Sequence, residues 1–207
     1  MLCAALAILA ACGPNGGVEP ADEQAAVLLD RAARLQEAGR PLQAAAQLGA
    51  AAQHEPGNPA IRHRLAELYQ SEGLWDAAEA EYRNALSLGT SVHTWVGLAD
   101  LLRNLNRFSE AVRAYRSALE MDPRSSRAGF GLCLAQIGDE DFAAAVDGCE
   151  LGARLNPQDV GTRRRLGLAL LELERYQEAA EVLLEGTDFT PEQRAEILRT
   201  LPPDKAE

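Results

Sequence analysis

Small and large apolar residues return along this chain at intervals of about 34 residues. The plainest marker is a small residue followed five positions later by proline: Ala51 to Pro56, Ala118 to Pro123, Gly152 to Pro157 and Gly186 to Pro191. Self-similarity at a period of roughly 20 to 50 residues predicts a solenoid, in which each unit hides its apolar face on the next. With that proline counted as the thirty-second residue, units begin at Ala25, Pro59, Val92, Ser126 and Val160. The second is one residue short and carries Thr90 in the proline slot.

Other positions keep the same register. The eighth holds Ala32, Ala66, Ala99, Cys133 and Gly167; the twentieth Ala44, Ala78, Ala111, Ala145 and Ala179; the twenty-seventh Ala51, Ala85, Ala118, Gly152 and Gly186. Helices that cross closely need small residues at the crossing, because longer side chains hold the axes apart. Larger slots recur as well, with Leu65, Leu98, Leu132 and Leu166 at the seventh position and Trp75, Phe108, Phe142 and Tyr176 at the seventeenth, where each aromatic begins a second helix. The abundance of Ala agrees with an all-α chain.

This pattern resembles the tetratricopeptide repeat over nearly all of the chain after residue 24. The resemblance implies an all-α, right-handed superhelical solenoid of antiparallel helix pairs, with the first helix of each pair lining a concave groove. The expected repeats are 25–58, 59–91, 92–125, 126–159 and 160–189. Departures from the pattern are Pro41 in an aromatic slot, Cys149 in place of a large aromatic, and Gly129 where the third repeat has Trp95. Thr190-Pro191-Glu192-Gln193 then reads as a capping box opening a C-terminal capping helix over 190–201, whose Ile197, Leu198 and Leu201 would cover the last exposed face. Pro202-Pro203 stops it, leaving 202–207 as a frayed tail.

Before the repeats, residues 1–11 are an apolar run too short to span a bilayer but the right size for a signal peptide core. It ends in Leu9-Ala10-Ala11-Cys12, which resembles the lipobox of bacterial lipoproteins. That resemblance implies diacylation of Cys12 and cleavage before it, and two acyl chains suffice for stable anchoring. No Lys or Arg precedes the run, a departure from such signals, so an ordinary cleavable signal or an uncleaved anchor stands as the alternative. Residues 12–24, opening Cys12-Gly-Pro-Asn-Gly-Gly, read as the lipidated Cys and a flexible tether. Gly13 is not the Asp that retains some lipoproteins in the inner membrane, which favours the periplasmic face of the outer membrane.

With 31 acidic and 20 basic residues the formal charge is -11, which disfavours nucleic acid as a partner. The resemblance places groove contacts at the second, fifth, ninth and twelfth residues of each repeat. These give a polar centre of His63, Glu67, Gln70, His93, Asp100 and Arg103, with Val96 beside it. Next to it lies an apolar stretch of Phe130, Leu134, Ile137, Leu168 and Leu171, rimmed by Arg127 and Arg164. An exposed strip of this kind would bind a helix or an extended peptide; burial of the strip by curvature or by the C-terminal helix is the alternative. The basic residues do not match the clamp by which chaperone-binding relatives hold a terminal carboxylate. His63 and His93, with Glu67 and Asp100, raise a weaker metal reading, but helix axes 8 to 10 Å apart make polar groove residues the simpler one, and no cofactor or metal is expected.

Cys133 and Cys149, at the eighth and twenty-fourth positions of one repeat, fall on facing helices and could close a disulfide or remain two buried thiols. No HExxH, Gly-x-Ser-x-Gly or phosphate-cradling glycine loop is present, so neither catalysis nor a small-molecule substrate is expected. The expected function is a lipid-anchored, non-catalytic scaffold that binds another envelope protein. In architecture it resembles the tetratricopeptide lipoproteins that act as pilotins in pilus assembly; a scaffold for peptidoglycan enzymes is the alternative.

Overall fold

The computed structural model describes residues 21–185 and 190–202, and the signal segment, Cys12, Gly186 and the final tail from residue 203 lie outside the described residues. Among the described residues there are eleven helices and no strand. They fall into two compact units, Met1–Pro56 and Gly57–Glu207.

The first unit contains α1 (Ala21–Glu37) and α2 (Pro41–His54), packed on one another. Ala25, Ala32, Ala44 and Ala51 have no exposed surface, so the two axes meet through single methyl groups. Residues 21–24, read above as the end of the tether, are already helical, because Ala-Asp-Glu-Gln contains no breaker and continues into a strongly helix-forming run. Pro41 is tolerated because it sits at the first helical position, where its missing N–H would have had no intrahelical partner.

The second unit holds α3 (Pro59–Ser71), α4 (Trp75–Leu88), α5 (Val92–Asn104), α6 (Phe108–Met121), α7 (Ser126–Gly138), α8 (Phe142–Leu155), α9 (Val160–Glu172), α10 (Tyr176–Leu184) and α11 (Pro191–Thr200). Each consecutive pair from α3/α4 to α9/α10 packs together, and α3, α5, α7 and α9 also touch in series. The four first helices therefore lie side by side and form one face. Ala66, Ala78, Ala85, Ala99, Ala111, Ala118, Cys133 and Ala145 are all fully buried at the crossings. Gly129 and Gly152 extend the same device, since a Cβ on Gly129 would stand 3.4 Å from the Gly152 Cα.

Polar side chains start several of these helices by accepting a backbone N–H: Asn58 from Ala60, Asp141 from Ala144 and Asp159 from Gly161. Thr190 and Gln193 form the complete capping box of α11. That last helix packs on α10, where the Gln177 amide donates to the carbonyls of Leu198 and Pro202; Ile197, Leu198 and Leu201 are half-buried. No helix among the described residues is long and apolar enough to cross a membrane.

The first helix of every pair ends in the same way. Gly39, Gly73, Asn106, Glu140 and Glu174 adopt φ values of 68°, 73°, 59°, 59° and 58°. The next residue's N–H donates five residues back, as from Arg107 to Leu102, Asp141 to Gln136 and Arg175 to Leu170. This is the left-handed stop that glycine adopts freely, and a glutamate there carries a steric cost of about 1 to 2 kcal/mol. The turn is further fixed by Arg107, which donates to both oxygens of the buried Glu79 at 2.7 and 2.9 Å and to Glu110 at 2.7 and 2.8 Å. Hydrogen bonding from Arg107 holds the Glu110 carboxyl below its usual range.

Two stability changes follow. Glu140→Gly with Glu174→Gly should raise stability by about 1 kcal/mol in urea unfolding, since glycine relieves the left-handed strain at each turn; a loss would show that the glutamates hold the turns by other means. Asp159→Ala should cost about 1 kcal/mol near neutral pH through the lost cap of α9. The Asp159 carboxyl is held low, first by the Thr162 hydroxyl, which donates to it at 2.6 Å. Its contribution is therefore present above the ordinary carboxylate range and lost as the pH falls through its depressed folded value, so the gap between variant and wild type should close in acid.

Candidate functional site

The face formed by α3, α5, α7 and α9 has two parts. Over α3 and α5 lies a hollow of about 390 Å³ lined by Glu67, Gln70, Ser71, Trp75, Tyr82, His93, Gly97, Asp100, Asn104 and Arg127. A second hollow of about 400 Å³ adjoins it, lined by Val92, His93, Val96, Asp122, Ser125 and Arg127 among others. The structure thus brings Glu67, Gln70, His93, Asp100 and Arg127 together on one surface.

Their positions are set from behind by two tyrosines of the second helices. Tyr82 and Tyr115 are fully buried, and each ring fits because the facing residue has no Cβ: a Cβ at Gly97 would stand 2.7 Å from Tyr82, and one at Gly131 2.3 Å from Tyr115. The Tyr82 hydroxyl donates to Gln70 at 2.8 Å. The Tyr115 hydroxyl donates to one oxygen of Asp100, while Arg127 of α7 donates to the other at 2.6 Å. Burial, followed by the nearby carboxylates, pushes both phenols up, so they remain donors throughout the physiological range. Burial works against the Arg127 charge, but its bond to Asp100 outweighs this and keeps the guanidinium protonated.

Other residues singled out in the sequence have separate surroundings. His63 lies 3.3 Å from Glu67 and meets the Tyr82 ring edge-on at 5.6 Å. Arg103 is directed toward Asp100, at 3.9 Å. Val96 is only 3 % exposed and belongs to the core, with an edge on the second hollow, so it is a packing residue more than a contact residue. Among the described residues no three His, Cys, Asp or Glu side chains converge to hold a metal. His93 stands exposed on the hollow, apart from His63.

Over α7 and α9 the surface mixes exposed leucines with arginines and a small polar hollow around Phe130. Leu168 is 49 % exposed and Leu171 38 % exposed, whereas Phe130, Leu134 and Ile137 are half-buried. Phe130 lies beneath the guanidinium of Arg165, 5.8 Å from its centroid. Of the two arginines expected at the rim, Arg127 shares a small hollow with Phe130. The Asp100 carboxylate draws Arg127 toward α5, and Arg164 lines a shallow hollow with Val160, Arg163, Val182 and Leu183 against α10.

Trp75, Ser71 and Asn104 line the first hollow, and Tyr82 and Tyr115 support it from behind; groove positions alone did not single out any of them. The available signal was the pairing of Tyr82 with Gly97 and of Tyr115 with Gly131, a large residue at the twenty-fourth position answered by glycine at the sixth of the next repeat. Cys133 and Cys149 are joined by a disulfide, with their Cα atoms 4.6 Å apart.

Comparison with known proteins places this geometry. Family profiles described as tetratricopeptide repeat match residues 35–89, 96–160 and 150–193, more than half of the chain. A small glutamine-rich tetratricopeptide repeat-containing protein from Mycosarcoma maydis is 33% identical over 89 residues. The match covers 41% of this chain and 24% of that protein, so the chain spans about a quarter of its relative. Among solved structures, MamA from Desulfovibrio magneticus superimposes with a TM-score of 0.72 at 20% identity, covering 81% of this chain and 98% of that one. YrrB, described as a protein of this repeat class with an unusual peptide-binding site, gives 0.68 at 14% identity over 86% of this chain and 93% of that one. PilF from Pseudomonas aeruginosa gives 0.65 at 20% identity over 86% of both chains. At these identities the structures establish the fold alone, and with the matched repeats they lead to one assignment: the chain belongs to the tetratricopeptide-repeat family.

Proposed function

We propose that the protein is a non-catalytic scaffold that holds a helix or extended segment of another envelope protein against the face of α3, α5, α7 and α9. The observation that carries this reading is the pair Leu168 and Leu171, exposed on α9 beside a polar surface whose side chains are already fixed by the buried tyrosines. An apolar strip next to prealigned hydrogen-bonding groups suits a peptide that offers both apolar and polar side chains, and prealignment reduces the ordering cost of binding. The family is a protein-interaction repeat.

Anchoring to the envelope is part of the same proposal. It rests on the Leu9-Ala10-Ala11-Cys12 signature and is supported by the Cys133–Cys149 bond, which persists in oxidising compartments. An assembly role for a pilus or secretion complex, in the manner of a pilotin, is the form of scaffold this architecture suits.

Leu168→Ser with Leu171→Ser should lower the melting temperature only slightly, because about half of each side chain is already in water. It should weaken binding of a partner captured from envelope extract by about 10-fold or more. Equal binding by both chains would move the interaction off this face. Separately, mass analysis of the chain expressed in bacteria should find acyl groups on Cys12, absent from Cys12→Ser; an unmodified Cys12 would remove the anchor while leaving the groove reading standing.

A further inference from the structure

The fourth repeat lacks the joint that links its neighbours. In the second and third repeats the twenty-fourth position holds Tyr82 and Tyr115, whose rings press on Gly97 and Gly131 of the following helix. Both rings belong to one core cluster that runs from Ala66 through Leu98, Leu101 and Leu102 to Leu132. At the same position the fourth repeat has Cys149, and the sixth position of the next repeat is Arg165 in place of glycine. The core there is a different cluster, built on Cys133, Ala145, Val146, Cys149, Leu166 and Leu170 without a buried aromatic residue.

Its helices are also weak in themselves. Gly129, Gly131, Gly138, Gly148 and Gly152 fall within the 13 residues of α7 and the 14 residues of α8. Glycine is the least favourable helical residue apart from proline. Packing fixes two of them in place, since a Cβ would come within 2.3 Å of the Tyr115 ring at Gly131 and 2.5 Å of the Phe108 ring at Gly138. α7 keeps the Tyr115 ring on its α6 side, but its contact with α8 and the contact of α8 with α9 rest on small side chains in helices of poor intrinsic helicity, and the disulfide between α7 and α8 offsets both.

We infer that the Cys133–Cys149 bond is a redox-dependent staple without which the fourth repeat, and with it the apolar part of the binding face, does not stay closed. Closing the bond constrains the open chain across 16 residues. Repeats are stabilised by their neighbours, so opening α7 and α8 also strips α9 of its partner, and α9 carries Leu168 and Leu171. The α3–α6 half keeps its tyrosine joint. Reduction by a dithiol breaks the sulfur–sulfur bond in two exchange steps. One thiolate of the reductant attacks a cysteine sulfur to give a mixed disulfide, the second displaces that cysteine, and the reductant leaves as its own disulfide with Cys133 and Cys149 as thiols. Both sulfurs are fully buried, so this exchange requires the α7–α8 pair to open first. In a reducing compartment the chain would hold α3–α6 folded and α7–α10 open; oxidation completes the face.

The test uses the full chain and does not involve a binding partner, so it stands apart from the groove proposal. Trypsin releases a peptide from Ala128 to Arg154 that contains both cysteines. In the native chain it should resist alkylation until dithiothreitol is added. Hydrogen exchange should then be compared for the oxidised chain, the dithiothreitol-reduced chain and Cys133→Ala/Cys149→Ala, which keeps two small apolar side chains without the bond. Exchange in α7–α10 should rise by about 100-fold in the last two, with α3–α6 changed by less than about threefold and the melting midpoint lowered by roughly 5 to 10 °C. Free thiols at Cys133 and Cys149 in that peptide from the purified native chain would overturn the inference. So would equal exchange in α7 and α8 before and after verified reduction, or a uniform loss of protection across α3–α10. Should the double alanine variant fail to fold, the reduced wild-type chain decides by the same criteria.

Discussion

The fold depends on the absence of side-chain volume where helices cross. Ala66, Ala78 and Ala85 in one repeat and Ala99, Ala111 and Ala118 in the next are wholly buried, and no longer residue would let the axes approach as they do. Because one methyl group is the thickness of the contact, the larger side chains are displaced to either side of it. Leu98, Leu101 and Leu102 go inward to the core, and the residues on the opposite side of the first helices are left to solvent. The binding face is thus a by-product of helix packing, since four helices held at one spacing present a continuous row of uncommitted positions.

What makes that row specific is polar contact between repeats. Asp100 on α5 receives the Tyr115 hydroxyl from α6 and the Arg127 guanidinium from α7, so three helices fix one carboxylate. With both oxygens engaged and the phenol held protonated, Asp100 is a rigid acceptor whose orientation changes only if the stacking of the third and fourth repeats changes. The surface charge of this region therefore reports on the packing behind it. Arg127 is drawn across to Asp100 while its side chain stays 70% exposed, which leaves an accessible cation tied to a half-buried anion. Such a pair is worth little to stability but is well suited to set the direction in which a charged ligand lies.

Much of this was legible in the sequence, for reasons particular to the residues involved. The fold class followed from small residues at the eighth, twentieth and twenty-seventh positions, because a closest-approach contact excludes every larger side chain and so leaves a mark that composition alone does not produce. The capping box at Thr190 and Gln193 was legible because both partners are local. The left-handed residues were harder to see: Gly39 and Gly73 announce the turn and Asn106 suits it, but Glu140 and Glu174 occupy the same geometry with side chains that give no such signal. Long-range polar pairing was hidden altogether. Arg127 at the second position of its repeat and Arg164 at the fifth position of the next both read as basic groove residues in sequence, yet one finds Asp100 across the face and the other lies against α10. Val96 stands at a nominal contact position but sinks into the core, a consequence of Gly97 beside it bringing the Tyr82 ring close.

The two parts of the second unit differ in how they meet the same geometric demand. Where Tyr82 and Tyr115 are present, each joint carries a large buried ring and a hydrogen bond that reaches the binding face, so packing and surface chemistry are tied together. From Cys149 onward no ring occupies that position and no tyrosine hydroxyl supports the face, where Leu168 and Leu171 are exposed. The polar-to-apolar change along the groove is therefore the outward sign of an inward substitution of cysteine for tyrosine. A single exchange at a buried position alters both the cohesion of a repeat and the chemistry it shows to a partner. In a solenoid, where each unit contacts only its neighbours, such an exchange stays confined to one joint, which allows the two properties to vary along the chain without disturbing the spacing that the small residues impose.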